Sequence, residues 1–204
     1  VASEAQGKFR GLGVSMYLEQ CGQGAGGGVD VEFAADGSVV IYAAQQDNGQ
    51  GHLTTLTQIF SDRLGYDAEL IKISQGDSLR SPPGTTGGAK MAAVLGSSVS
   101  EAASLIAGDA KKMAADHLGV DEIDVEFVEG VFTTSGTNQT ISIEELVRLT
   151  ATEDGPHPLN RFNDYQASGA TYPYGSHIIE IEVDKASFVP QIVRYTTMDD
   201  FGNI

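Results

Sequence analysis

Basic residues and cysteine are both scarce in this chain. Lysine and arginine number 12 against 28 aspartate and glutamate, a formal charge of −16 over 204 residues. Such a surplus repels nucleic acid and anionic lipid, so neither nucleic acid nor membrane is an expected partner. The single cysteine, Cys21, excludes an internal disulfide framework and leaves too few thiolates for a zinc or iron–sulfur site. It is expected as buried filler, and a reducing, cytoplasmic setting is the simplest reading. No run approaches the roughly 20 apolar residues of a bilayer span, and the start, Val1 to Phe9, has no apolar signal core. His52, His117, His157 and His177 show no H-E-x-x-H or other ligand spacing, so they are expected as surface or packing residues and not as metal ligands. No internal repeat or low-complexity tract is present.

What is there suffices for a core. Hydrophobic residues make up 41%, enough for one large domain or two small ones. Both ends look cut: Val1 is no initiator methionine, and the strand-like run Ile192 to Met198 leads into Asp199, Asp200, Phe201, Gly202, Asn203 and Ile204 without a closing element. A fragment of a longer chain is expected.

The spacing predicts strands over Gly13 to Glu19, Val29 to Ala34 and Ser38 to Ala43, with Asp36-Gly37 as a type I′ hairpin turn. Leu53, Leu56, Ile59, Phe60 and Leu64 fall on one helical face, and Gly65 is a natural C-cap. A strand over Glu69 to Ser74, a polar loop over Gly76 to Gly88 and a long helix from about Met91 to Leu118 follow. Asp124 to Val128 reads as a strand, and Ser142 with Glu145 as the capping box of a helix through Leu149. Thr150 to Asn160 is a loop. Ile179, Ile181 and Val183 alternate with glutamates, and this strand is expected to pair antiparallel with Ile192 to Met198. Without a regular βαβ rhythm, the class is α+β, helices packed on mostly antiparallel sheet. Two parts are expected, about 11–118 as a first, ligand-contacting unit and about 119–204 as a second α/β part.

Three glycine patterns carry possible chemistry. Gly22, Gly24 and Gly27 satisfy G-x-G-x-x-G, but they precede a strand where the dinucleotide fingerprint must follow one, so a hairpin loop is preferred. Asn48, Gly49, Gln50 and Gly51 lie where a strand turns into a helix, and first-turn N–H groups there can receive an anion. The inert alternative is a turn whose Gln50 caps the helix. Thr86, Gly87, Gly88, Ala89 and Lys90 form a second such bend, with Lys90 as a point charge for phosphate; here the alternative is a surface loop with a solvated lysine. Asp199 and Asp200, as successive strand residues, point to opposite faces and cannot share a proton or metal.

Several of these residues resemble one family. Asp36-Gly37-Ser38-Val39 followed by Asn48-Gly49-Gln50-Gly51-His52-Leu53-Thr54-Thr55 is similar to the dG-x-V and G-Q-G-x-x-T stretch of molybdenum hydroxylase large subunits, the aldehyde oxidase, xanthine dehydrogenase and carbon monoxide dehydrogenase family. Leu64-Gly65, Gly76-Asp77-Ser78 and Thr86-Gly87-Gly88-Ala89-Lys90 match its LG, G-D-T and S/T-G-G-S-R motifs in order. Tyr174-Gly175-Ser176-His177 with Glu180, Glu182, Val183 and Asp184 resembles its G-x-H…VEVD strand, and Asp200-Phe201-Gly202 its D-x-G.

The resemblance implies the α+β fold of the molybdopterin-binding domain and a molybdopterin cofactor, in its cytosine dinucleotide form, carrying molybdenum on its own sulfurs. Asn48, Gly49, Gln50 and Gly51 would meet the pterin or dithiolene end, and Thr86, Gly87, Gly88, Ala89 and Lys90 the phosphate end. It further implies an oxidoreductase acting on a small aldehyde, heteroaromatic or carbon monoxide-like substrate, with iron–sulfur and flavin subunits or domains and an oligomeric full enzyme. Three departures stand out. Ala89-Lys90 replaces Ser-Arg, exchanging a bidentate fork for a point charge. Asp184-Lys185-Ala186-Ser187-Phe188 replaces D-P-x-T-G. The family's G-x-G-E segment with its catalytic glutamate does not occur in these residues, so no catalytic residue is named and the fragment is expected to be inactive alone. The competing readings are a non-catalytic cofactor-binding or assembly module of the same family and, last, an unrelated phosphate-binding domain.

Overall fold

A computed structural model describes residues 2–22, 24–152 and 154–202; Asn203 and Ile204 of the expected open end lie outside them. In chain order the elements are α1 (Ala2–Ala5), β1 (Lys8–Leu18), β2 (Gly26–Phe33), β3 (Val39–Ala43), α2 (His52–Leu64), β4 (Ile71–Gln75), a π-helical turn (Met91–Leu95) that opens α3 (Gly96–Leu118), β5 (Val125–Val128), β6 (Val131–Thr134), β7 (Thr140–Ser142), α4 (Ile143–Thr150), β8 (Arg161–Gln166), β9 (Tyr174–Asp184) and β10 (Pro190–Asp200). The class is α+β, as expected. Contacts divide the chain into two units, 1–21 with 170–204, and 22–169, and not at the break expected near 118. The reason is that β1 pairs with β9 and β2 with β8, so the ends of the chain fold together and the middle closes on itself.

The larger unit is built on a sheet ordered β4-β3-β2-β8. The β2–β3 and β2–β8 pairs are antiparallel, whereas β3 and β4 run parallel, Ile41 opposite Ile73. A βαβ unit, β3-α2-β4, is therefore present where no such rhythm is expected from sequence. Leu56, Phe60 and Leu64 recur every fourth residue on α2 and are buried. On α3, Val99, Ala102, Ala103, Ile106, Ala110 and Ala114 are fully buried, and their small size lets the helix approach closely. Leu53, expected on the inner face, is 54% exposed, and His52 is buried in its place. By length and composition Met91–Leu118 passes for a bilayer span, contrary to the sequence expectation, but half of its apolar window is buried, with Leu95, Val99 and Ile106 in this core.

The β2–β3 hairpin is real, but its turn is not type I′. Gly37 alone has positive φ, 88°. Its N–H donates to the Ala34 carbonyl at 2.9 Å, and Ala34 N–H to the Ser38 carbonyl at 2.9 Å. This is the three-residue loop, a type I turn closed by a left-handed glycine. Gly65 caps α2 at φ 59° with its N–H on the Ser61 carbonyl, and Ser142 accepts from the Glu145 N–H at 3.1 Å to start α4. Of the small sheet β5-β6-β7 only β5 is expected from sequence, as Asp124 to Val128; β6 and β7, of four and three residues, are too short to display a period.

The smaller unit is the antiparallel sheet β1-β9-β10. Ile181 pairs with Gly11 on one side and Ile192 on the other, with a bulge between Ile192 and Arg194. The expected pairing of the last two strands is present. β1 starts five residues earlier than the alternation predicts, because β9 offers partners from Asp184 onward and Lys8 to Leu12 pair with Asp184 to Glu180.

Candidate functional site

The larger unit brings the two glycine bends together. The hydroxyl of Thr86 donates to the Gln46 carbonyl at 2.5 Å. Nearby, Gly84 lies so close to Ala44 that a Cβ there would meet the Ala44 Cβ at 2.8 Å and its carbonyl oxygen at 3.0 Å. Glycine is needed for the second bend to lie against the first. Beside them Ala44, Gln46, Asp77, Ser81, Pro82 and Gly84 help line a cavity of about 450 Å³.

The first bend differs from the bare helix mouth that its sequence implies. Asp47 Oδ1 accepts from the N–H groups of Gly49 (2.6 Å) and Gln50 (2.7 Å), and Oδ2 from that of His52 (2.8 Å). Left-handed φ at Gly49 (104°) and Gly51 (78°) turns these amides toward one point, forming a nest. Burial alone would raise the Asp47 carboxyl, but the three N–H donors and the neighbouring His52 ring outweigh it and hold it below the usual carboxylate range. Gln50 does not cap the helix; its Oε1 accepts from the Asn48 N–H at 2.5 Å. A Cβ on Gly49 or Gly51 would meet nothing within 4 Å, so the outer side of the bend is open.

In the second bend Gly88 (φ 60°) and Ala89 (φ 49°) are left-handed, a conformation that Ala adopts only at a cost. The Gly88 carbonyl accepts from Gly22 N–H at 3.4 Å. Among the described residues, the N–H groups of Gly87, Gly88 and Ala89 donate to no acceptor. Lys90 Nζ reaches Thr85 Oγ1 at 3.4 Å, and a Cβ on Gly87 or Gly88 would meet open space.

Beneath the bends lie polar residues that the sequence motifs do not flag. Gln45 is fully buried, its Nε2 donating to the Gly26 carbonyl at 3.2 Å, and Gln75 Nε2 donates to the Gln45 carbonyl. Gln45 Oε1, Gln75 Oε1, Ser81 Oγ and His52 Nδ1 are buried without a partner. Buried polar atoms are paired in most native structures, so each of these calls for a partner such as water or a ligand. Asp47 carries a sequence signal, since an acidic residue ahead of a helix start accepts from the N–H groups there; the glutamines carry none.

Gly22 and Gly24 precede β2, Gly27 is its second residue, and none of them opens a helix; a Cβ on Gly27 would lie 2.8 Å from Gln45 Nε2, so that glycine serves packing. Among the described residues no cluster of three His, Cys, Asp or Glu is placed to hold a metal. His157 packs in the core, accepting at Nδ1 from Leu159 N–H (3.1 Å) while Nε2 faces the Val147 carbonyl (3.0 Å). In the smaller unit Asp199 accepts from Tyr17 and His177, Asp200 from Tyr174 and Gly202, so the two carboxylates serve separate partners. Cys21 is half-buried and bridges Thr171 through its backbone, which makes it an edge residue and not buried filler.

Paired glycine bends at strand and helix ends, one with amides that have no acceptor among the described residues and with a lysine, form an open, donor-rich surface on the larger unit. The model of the molybdopterin cofactor-binding domain matches residues 1–204, and the chain belongs to that family. Over 98% of its length it is 30% identical to the 6-hydroxypseudooxynicotine dehydrogenase complex subunit gamma of Paenarthrobacter nicotinovorans. Over 94% it is 27% identical to the carbon monoxide dehydrogenase large chain of Hydrogenophaga pseudoflava. It spans 26% and 24% of those proteins. A crystal structure of the Cu,Mo-CO dehydrogenase superposes with a TM-score of 0.85 at 25% identity, covering 97% of this chain and 27% of that one. Quinoline 2-oxidoreductase from Pseudomonas putida 86 shares the fold, with a TM-score of 0.82 at 24% identity over 98% of this chain and 28% of that one.

Proposed function

We propose that this chain is the part of a longer large subunit in which the two joined bends hold a molybdopterin cofactor in its cytosine dinucleotide form. Asn48, Gly49, Gln50 and Gly51 face the pterin and dithiolene end, and Thr86, Gly87, Gly88, Ala89 and Lys90 the phosphates. The observation that carries this reading is the Thr86–Gln46 bond, which sets the bends side by side where one extended ligand can touch both. The residues fit such a group: the glycines leave room for close approach, the Gly87–Ala89 amides and Lys90 offer donors to phosphate, and buried orphan oxygens lie below. When bound, the cofactor supplies molybdenum held by its own sulfurs for oxidation of a small aldehyde, heteroaromatic or carbon monoxide-like substrate.

The protein's own contribution here is to bind, to orient through backbone donors and to exclude water with the packed Gly84–Ala44 contact. Electron transfer to iron–sulfur and flavin partner subunits, oligomerisation and a cytoplasmic location complete the reading. Relatives named as subunits of dehydrogenases support the first, and the lone Cys21 the last. Elemental analysis of the purified full-length subunit tests it: molybdenum near one per subunit is expected, falling in Lys90→Ala. A properly matured subunit free of molybdenum overturns it.

A further inference from the structure

The two bends differ in one respect that the family motifs do not contain. In the first, three N–H groups converge as in an anion nest, and the protein's own Asp47 carboxylate already fills it at 2.6–2.8 Å. What that bend turns outward is neutral: Asn48 and Gln50 are exposed, and beyond the Asn48 N–H bond neither side-chain amide has a partner among the described residues. Below it, His52 is only 7% exposed and its Nδ1 lacks a partner. In the second bend, no acidic side chain occupies the Gly87–Ala89 amides, and Lys90 has no carboxylate within ion-pair distance among the described residues. A phosphate approaching the first bend meets a fixed negative charge where it needs donors; a neutral heterocycle meets amide groups with free donors and acceptors.

We propose that Asp47 is a specificity-determining residue: a built-in anion that closes the first bend to phosphate and so fixes which way round the cofactor lies, with its phosphates at Thr86–Lys90 only. This rests on the cofactor-binding reading above. The test titrates cofactor-free, full-length subunit with inorganic pyrophosphate in a calorimeter. Wild type is expected to show one site, weakened about tenfold in Lys90→Ala. Asp47→Ala, which frees all three amides, and Asp47→Asn, which keeps the side chain's size and one capping oxygen but drops the charge, are each expected to raise the stoichiometry from one to two. If Asp47→Ala fails to fold, Asp47→Asn decides. Two sites in wild type, or one site in wild type and in both variants, overturns the role of Asp47 while leaving the cofactor reading in place. Absence of any site in wild type and variants alike overturns both.

Discussion

Thr86 and Gln46 are joined by a hydroxyl-to-carbonyl bond of 2.5 Å across forty residues of sequence, and this bond is what makes one surface of two bends. Replacing Thr86 by Val keeps the branched shape and removes the donor. The net loss for one such bond is about 1 kcal/mol, so cofactor retention is expected to fall roughly fivefold with little change in melting temperature, whereas Thr86→Ser retains it. Molybdenum content after extended dialysis of the full-length subunit is the measurement; equal content in Thr86→Val and wild type argues that the bond is incidental.

Lys90 stands where the family carries an arginine. An ammonium gives one point charge and an arginine a planar fork that grips phosphate with two bonds. Lys90→Arg is therefore expected to bind pyrophosphate at least as tightly as wild type, and Lys90→Ala about tenfold more weakly, with the difference shrinking as salt screens the exposed charge. Titrations at low and high ionic strength check both statements. An alanine variant that binds as wild type at low salt shows the lysine to be merely solvated.

How far such features are readable from sequence depends on how local their physics is. The α2 face, the Gly65 cap, the Ser142 cap and the pairing of β9 with β10 follow from periodicities and capping chemistry within a dozen residues. The turn at Asp36-Gly37 was legible as a turn but not as to type, since the three-residue loop is set by where β2 and β3 stop pairing. β8 was not legible at all: Arg161–Gln166 reads Arg-Phe-Asn-Asp-Tyr-Gln, with no alternation of apolar and polar residues, and becomes a strand because β2 offers an edge to it. In the site, the bends were legible as glycine-rich helix mouths, and their adjacency was not. The assumption of bare amides at the first mouth is corrected by Asp47, one residue outside the motif.

Gly65 and Gly119 make the same point and yield a sharp contrast. Both end helices in the left-handed region, at φ 59° and 70°, and look identical in sequence. A Cβ on Gly65, however, would lie 2.2 Å from the Gly130 nitrogen and the Glu129 carbonyl carbon, whereas one on Gly119 would meet nothing. Gly119→Ala is expected to cost about 1–2 kcal/mol, the left-handed penalty alone. Gly65→Ala carries that plus a backbone clash and is expected to cost more than about 4 kcal/mol. Chemical denaturation of the two variants measures both, and equal costs would refute the close approach.

Acid should loosen the smaller unit in a defined window. Glu182 accepts from Lys8 Nζ at 2.8 Å and Ser3 Oγ at 2.7 Å, and these bonds, with Lys8 first, hold its carboxyl below the usual range. A carboxyl lowered in the folded state stabilises above its unfolded value, about 4.3, and the contribution disappears as pH falls through the depressed folded value. Glu182→Gln is thus expected to lower stability at neutral pH and to converge with wild type at low pH. Parallel melting curves of the full chain from neutral to acid pH check the convergence, and a constant gap across the range would exclude ionisation as its cause.

The same sheet carries large apolar side chains on both faces. By register, Leu12, Val14, Met16 and Leu18 of β1 share one face with Ile178 of β9 and Met198 of β10, while Phe9, Ile192 and Tyr195 share the other. Met16 is 80% and Met198 81% exposed. An antiparallel sheet that meets water normally keeps one face polar, and apolar patches of this kind associate. Expressed as these 204 residues alone, the chain is expected to self-associate at micromolar concentration, and Met16→Lys with Met198→Lys to shift it toward monomer in sedimentation. A chain that stays monomeric without the lysines would show that the exposed methionines do not drive association.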